Sequence, residues 1–359
     1  MQTAELIETW LDRGLRAVVV AAAALGAALL WQDGVQAQTK EEPVLNLYSA
    51  RHYQTDEALY DNFTKQTGIK INRIELGDEQ LLQRVRSEGA NSPADVILLV
   101  DAARLWRAQI DGLFRPIQSK VLESRIPANL RSNDGTWFGF STRARVIVYN
   151  RAKVKPEDVA TYELLADPRN KGLVCTRSAS HPYMLTLTGA MVERSGEAAT
   201  EAWARGMVAN MARPPRGGDT DQIRAVASGE CGVALTNTYY WVRLLRSTDP
   251  KDKEVVARVG FVWPNQATSG THVNVSGGGV AKHAPHPGNA QKFLEYLVSP
   301  EAQRYFADGN NEWPVVKGAE VDNKALASLG SFKVESVPIS SIGKGQVAAQ
   351  RIVDRAGYR

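Results

Sequence analysis

Five side chains in three short segments hold the strongest chemical potential in this sequence: His52 and Tyr53, Tyr183, and the tandem Tyr239 and Tyr240. Each segment is a polar stretch behind an apolar run, in LNLYSARHY, GLVCTRSASHPY and CGVALTNTYY. Loops that follow strands in this way line the ligand crevices of α/β sheets, so all five residues are expected on loops. A deprotonated phenol is a hard, anionic oxygen donor, poorly matched to soft metals and well matched to ferric iron. If the three segments converge, the pattern points to Fe(III). Taken singly, each tyrosine is better explained as a packed aromatic with a satisfied hydroxyl. His52 fits either a neutral imidazole ligand or a cleft histidine bonded to a neighbour.

Other aromatic and imidazole groups fit packing roles. Tyr48 and Tyr149 fall in strand-like runs, His181 in an ordinary loop, and Trp137 and Trp241 suit a core or a cleft wall. Cys175 and Cys231 are the only cysteines, and each stands eight residues before a tyrosine, Tyr183 and Tyr239. The parallel spacing suggests neighbouring strands of one sheet. The pair is a candidate disulfide in an exported chain, or two buried thiols.

The elements that must position these groups alternate. VLNLYSA and ADVILLV have the composition of strands, and DEALYDNFTKQTG of a helix closed by Gly68. EQLLQRVRSEG is a second helical segment, and DAARLWRAQIDG a third that stops at Gly112. The apolar strands lack clean two-residue alternation, as in strands covered on both faces, so a mostly parallel α/β sheet is expected. WFGFSTRARVIVYN and THVNVSGGGVAKHA form two extended crossings between two α/β lobes with a central ligand cleft. The expected lobes are 38–140 plus 272–312, and 141–271 plus 313–359. Closure would be a hinge motion about the crossings.

At 359 residues the chain suits two domains. Its 43% hydrophobic and 23% charged content are those of a globular protein, and the formal charge of +4 is mild. No basic-aromatic array suggests nucleic acid. Arg13 and Arg16 precede an apolar run over 17–31, and Val35-Gln36-Ala37 supplies a small-residue cleavage site. Residues 1–37 therefore have the order of a cleavable signal peptide, and the mature chain is expected in the periplasm. Glu5, Glu8 and Asp12 are unusual in such a leader and suggest a later start codon.

Several long stretches together resemble the periplasmic ferric-iron-binding proteins of ABC importers, in the cyanobacterial-type Fut branch related to the Fbp proteins. They are YSARHYQTDEALYDNFTKQTG, SPADVILLVDAARLWRAQIDGLFRPI, RARVIVYNRAKVKPEDVATYELLADPRNKG, CTRSASHPY, SGECGVALTNTYYW and SPEAQRYFADGNNEWPV. The resemblance spans essentially the whole mature chain. It implies a type II periplasmic binding protein and a ferric ion held by His52 and Tyr53 from one lobe and Tyr183, Tyr239 and Tyr240 from the other. It further implies a monomer that delivers iron to an inner-membrane permease and its ATPase.

Four phenolates around a trivalent ion leave one negative charge in excess, which is costly in a low-dielectric cleft without nearby cations. Arg243 lies three residues beyond Tyr240 and four beyond Tyr239, on their face if the segment is helical. Arg143 lies on the first crossing. Both are expected to balance the phenolates from outside the ligand set, whereas Arg51 is expected to be structural. A different small anion or chelated ligand on the same architecture is the competing reading, with arginines as the clasp. Enzymatic motifs such as HExxH, G-x-S-x-G and the phosphate-binding loop are missing. SGGGVAK lacks that loop's ending and instead suits a crossing strand with close backbone approach.

Overall fold

The first helix shows how local signals set the boundaries. Asp56 and Glu57 lie in the first turn of α1 (Asp56–Thr67), where the positive end of the helix dipole favours carboxylates. Gly68, at φ 70°, ends it, and its N–H donates to Thr64 O at 2.8 Å. The computed structural model describes residues 42–51 and 55–359, so the leader, His52 and Tyr53 lie outside the described residues.

Strand β1 (Val44–Ser49) precedes α1. After it come β2 (Lys70–Glu75), α2 (Asp78–Glu88), β3 (Val96–Leu99), α3 (Ala102–Ile110), α4 (Lys120–Arg125) and the long β4 (Phe138–Asn150). The next series is β5 (Val174–Cys175), α5 (Pro182–Ala209), α6 (Asp219–Ser228), β6 (Val233–Asn237), α7 (Thr238–Arg246), α8 (Pro250–Arg258) and β7 (Val259–Val262). Strand β8 (Val273–Val280) leads into α9 (Pro287–Tyr296), α10 (Pro300–Arg304), a π-helical turn Tyr305–Gly309 and β9 (Trp313–Pro314). The chain closes with α11 (Lys324–Ala327), α12 (Ile339–Lys344) and α13 (Gln346–Arg355).

The strand order is β2-β1-β3-β8-β4-β6-β5, with β7 and β9 also paired to β4. The sheet is mixed, not mostly parallel. Strand β1 runs parallel to β2 and β3, and β5 parallel to β6. Every pairing of β4 and β8 is antiparallel. The two crossings cause this difference, because both occupy the middle of the sheet and reverse its direction there. Residues 138–144 of β4 pair with β8, and residues 145–150 pair with β6 and β7.

Gly277, Gly278 and Gly279 of β8 have no room for a side chain. A Cβ on them would collide with the carbonyl oxygens of Phe138, Ile97 and Thr136 respectively. The crossing strand thus does make the close backbone approach that its glycines suggest.

Two large apolar cores flank this centre. One gathers Leu45, Leu47, Phe63, Ile97, Leu105 and Phe293, and the other Ile147, Tyr162, Met184, Trp203, Leu235 and Ile352. Helix α12 buries Ile339 and Ile342 in the first core, whereas α13 buries Ile352 and Val353 in the second. A third, smaller core contains Val148, Ile223, Val226, Trp241 and the disulfide Cys175–Cys231. Cys175 ends β5, and Cys231 stands two residues ahead of the neighbouring β6.

Candidate metal centre

Tyr183 and Tyr239 sit in the first turns of helices, not on loops as the sequence suggests. Pro182 opens α5; its fixed φ suits the first helical position. His181 caps that helix, its Nδ1 accepting from the Tyr183 N–H at 3.2 Å. Strand β6 runs from Asn237 directly into α7 at Thr238, which leaves no loop between strand and tyrosines.

These two helix starts meet. The phenol oxygens of Tyr183 and Tyr239 are 3.0 Å apart, and both residues are buried. The rings of Tyr239 and Tyr240 lie 4.2 Å apart between centroids. Three arginines face the rings. The Arg143 guanidinium lies 5.8 Å and that of Arg177 5.0 Å from the Tyr183 centroid, and that of Arg243 5.5 Å from the Tyr240 centroid. Buried Arg143 also donates to Ser276 Oγ at 2.8 Å, tying β4 to β8. Arg243 is exposed on α7, sharing a helical face with the tyrosines.

Burial raises the Tyr183 phenol above its ordinary range, with the nearby Arg143 charge opposing that rise. His181 packs edge-on against Tyr183 at 4.5 Å. Burial, reinforced by the charges of Arg177 and Arg145, pushes its imidazole down to about 3.

A fully buried carboxylate organises this side of the site. Asp219 accepts from Arg145 Nη1 at 2.5 Å, Arg177 Nη1 at 3.1 Å and the Asn237 N–H at 2.7 Å. It therefore fixes both the arginine against Tyr183 and the residue that precedes α7. The sequence reading missed Asp219, Arg145 and Arg177. An aspartate at the start of an amphipathic helix resembles a solvated cap, and only its tertiary partners mark it as buried. Arg177 had one available signal, its place between Cys175 and Tyr183.

Arg51 is held by carboxylates, as a structural arginine is expected to be. It is buried, pairs with Asp56 at 2.7 Å and approaches Glu312 at 3.6 Å. Tyr48 donates to Glu88, and Trp137 to Gln109, both away from the tyrosine cluster. The structure thus brings together Tyr183, Tyr239, Tyr240, Arg143 and Arg243. Their hard oxygen donors and flanking cations suit a small, highly charged cation balanced by guanidinium groups.

An α/β sheet with two antiparallel crossings between two cores, and polar groups gathered beside the crossings, defines a binding protein of the type II periplasmic architecture. The chain belongs to the family described as bacterial extracellular solute-binding protein, which it matches over residues 58–330. It is 53% identical to iron uptake protein A1 of Synechocystis sp. across 89% of this chain and 88% of that protein. It is 27% identical to the major ferric iron-binding protein of Neisseria meningitidis serogroup B, across 88% of this chain and 93% of that one. A Trichodesmium protein described as IdiA or FutA, solved with iron and citrate ligands, superposes with a TM-score of 0.84. That pair is 53% identical and covers 88% of this chain and all of the other. The family role is solute binding, not catalysis.

Proposed function

We propose that this protein is the iron(III)-binding component of an ABC importer. The observation that carries the reading is the meeting of Tyr183, Tyr239 and Tyr240 beside Arg143 and Arg243. Iron-binding roles in the names of its relatives support it. In this reading His52 and Tyr53 complete the shell from the lobe formed by 38–140 and 272–312. The three described tyrosines bind from the lobe formed by 141–271 and 313–359. The lobes close over Fe(III) in the cleft, and the loaded monomer docks on a membrane permease driven by a cytoplasmic ATPase. The chain is exported by the leader over 1–37 and acts in the periplasm. The arginines offset the surplus negative charge of the phenolates for Fe(III), and gain of one electron on reduction to Fe(II) removes a positive charge from the metal and weakens binding.

The test is a Fe(III) titration of metal-stripped protein, following the visible phenolate-to-iron charge-transfer band with metal analysis of the same samples. One iron per chain with a band weakened in Tyr239→Phe and Tyr240→Phe supports the reading. No band and no iron would overturn it in favour of another small anionic or chelated ligand.

A further inference from the structure

Two adjacent buried asparagines follow the π-helical turn, and their side chains serve opposite neighbours. Asn310 Nδ2 donates to Asp56 Oδ1 at 2.8 Å, and Asn310 Oδ1 accepts from Thr55 Oγ1. Asp56 in turn pairs with Arg51. Asn310 therefore holds Thr55 and Asp56 directly, and through Asp56 it reaches Arg51, on the other side of positions 52 and 53 in sequence. Asn311 Oδ1 accepts from Arg246 Nη1 at 2.6 Å and from Asn323 Nδ2 at 2.8 Å. Arg246 ends α7, seven residues beyond Tyr239, and also donates to Asp308 O at 2.5 Å.

Apolar packing reinforces the second contact. Val242 of α7, Ala307 of the π-helical turn and Leu326 of α11 form a separate small core. Asn311 holds φ 60°, the left-handed region that a non-glycine residue rarely enters unless its surroundings fix it. Asn323 bonds Asn311 while its own oxygen caps α11.

We infer that the Asn310–Asn311 pair is a positioning element that sets the separation between the Arg51–Asp56 ion pair at the start of α1 and the tyrosine helix α7. The inference rests on the proposed iron site for its functional consequence, but the mechanical link stands on the contacts alone. One peptide unit joins the two anchors, so a shift at the start of α1 or in α7 is transmitted to the other.

Asn311→Gly keeps the left-handed backbone and removes the acceptor, whereas Asn311→Asp keeps an acceptor for Arg246. Two readouts are taken on each variant. The first is amide hydrogen exchange of the metal-free protein over 238–246. The second is the rate of Fe(III) loss to excess chelator from the loaded protein. Asn311→Gly is expected to exchange faster in α7 and to release iron about tenfold faster, with Asn311→Asp close to the original. Arg246→Met, an exposed substitution on the other partner, is expected to match Asn311→Gly and serves if the glycine variant fails to fold. Unchanged exchange in α7 for both Asn311→Gly and Arg246→Met would overturn the link. Changed exchange with unchanged iron release would overturn its role in binding. If the original protein shows neither iron nor band, the proposed function fails, and the exchange readout still decides whether the asparagine pair holds α7.

Discussion

The phenol oxygens of Tyr183 and Tyr239 lie 3.0 Å apart although 56 positions separate them in the chain. Along that line only one hydroxyl can donate, so of the pair's two protons one points elsewhere and the other lies between the two oxygens. A cation that takes the place of this proton meets both donors. Tyr183→Phe and Tyr239→Phe are each expected to weaken ferric binding by more than about tenfold. Because the two groups act together, the double variant should fall short of the sum of the single effects in a competition titration.

Proton release should accompany binding. Burial raises the Tyr183 phenol, so it keeps its proton at neutral pH and must lose it to bind a cation as phenolate. Affinity should then fall as pH falls, by about tenfold per unit for each proton released. Chelator competition in a pH series, with proton release measured in weak buffer, checks this.

Arg243→Leu should weaken Fe(III) binding or shift its pH dependence, because it removes a cation 5.5 Å from the Tyr240 ring. Arg243 is exposed, so the protein's melting temperature should hardly move. Unchanged affinity and an unchanged pH profile would remove Arg243 from the site.

His181 should make the fold acid-sensitive. Its imidazole drops from 6.5 to about 3 on folding, so the unfolded chain binds the proton more readily. The stability contributed by the neutral form is complete above pH 6.5 and is lost as pH falls toward about 3. Denaturant midpoints should fall more steeply over that window for the original protein than for His181→Asn, which retains a capping side chain.

Asp219→Asn should be among the most destabilising single changes near the site. It removes the charge that Arg145 and Arg177 share in a fully buried setting, at a cost of about 3–5 kcal/mol. Urea unfolding measures the loss, and a weaker tyrosinate band in the surviving folded fraction would report displaced Arg177 and Asn237.

Much of the architecture was legible in local signals. Gly68 marks a helix end, the glycines of β8 mark a close crossing, and the spacing of Tyr239, Tyr240 and Arg243 marks one helical face. Sheet polarity was not legible, because covered parallel and antiparallel strands share the same apolar composition and only their partners distinguish them. The helix starts under the tyrosines are harder to read, because β6 passes into the helix of Tyr239 and Tyr240 without a turn residue and only Pro182 marks the start of the helix that carries Tyr183. Asp219 and the asparagine pair escaped notice for a common reason. Short polar side chains beside helix ends look solvated until distant segments close over them.

Along Gly277–Gly279 the central strand presents only main chain to its neighbours, which close on it with the carbonyl oxygens of Phe138, Ile97 and Thr136 and the side chains of Leu105, Leu98 and Phe114. With no side chain of its own to interpose, the strand lies there at the spacing set by the hydrogen-bonded ladder. The middle of the molecule is therefore gauged by the backbone ladder, while the packing on either side is decided by the side chains of the two cores.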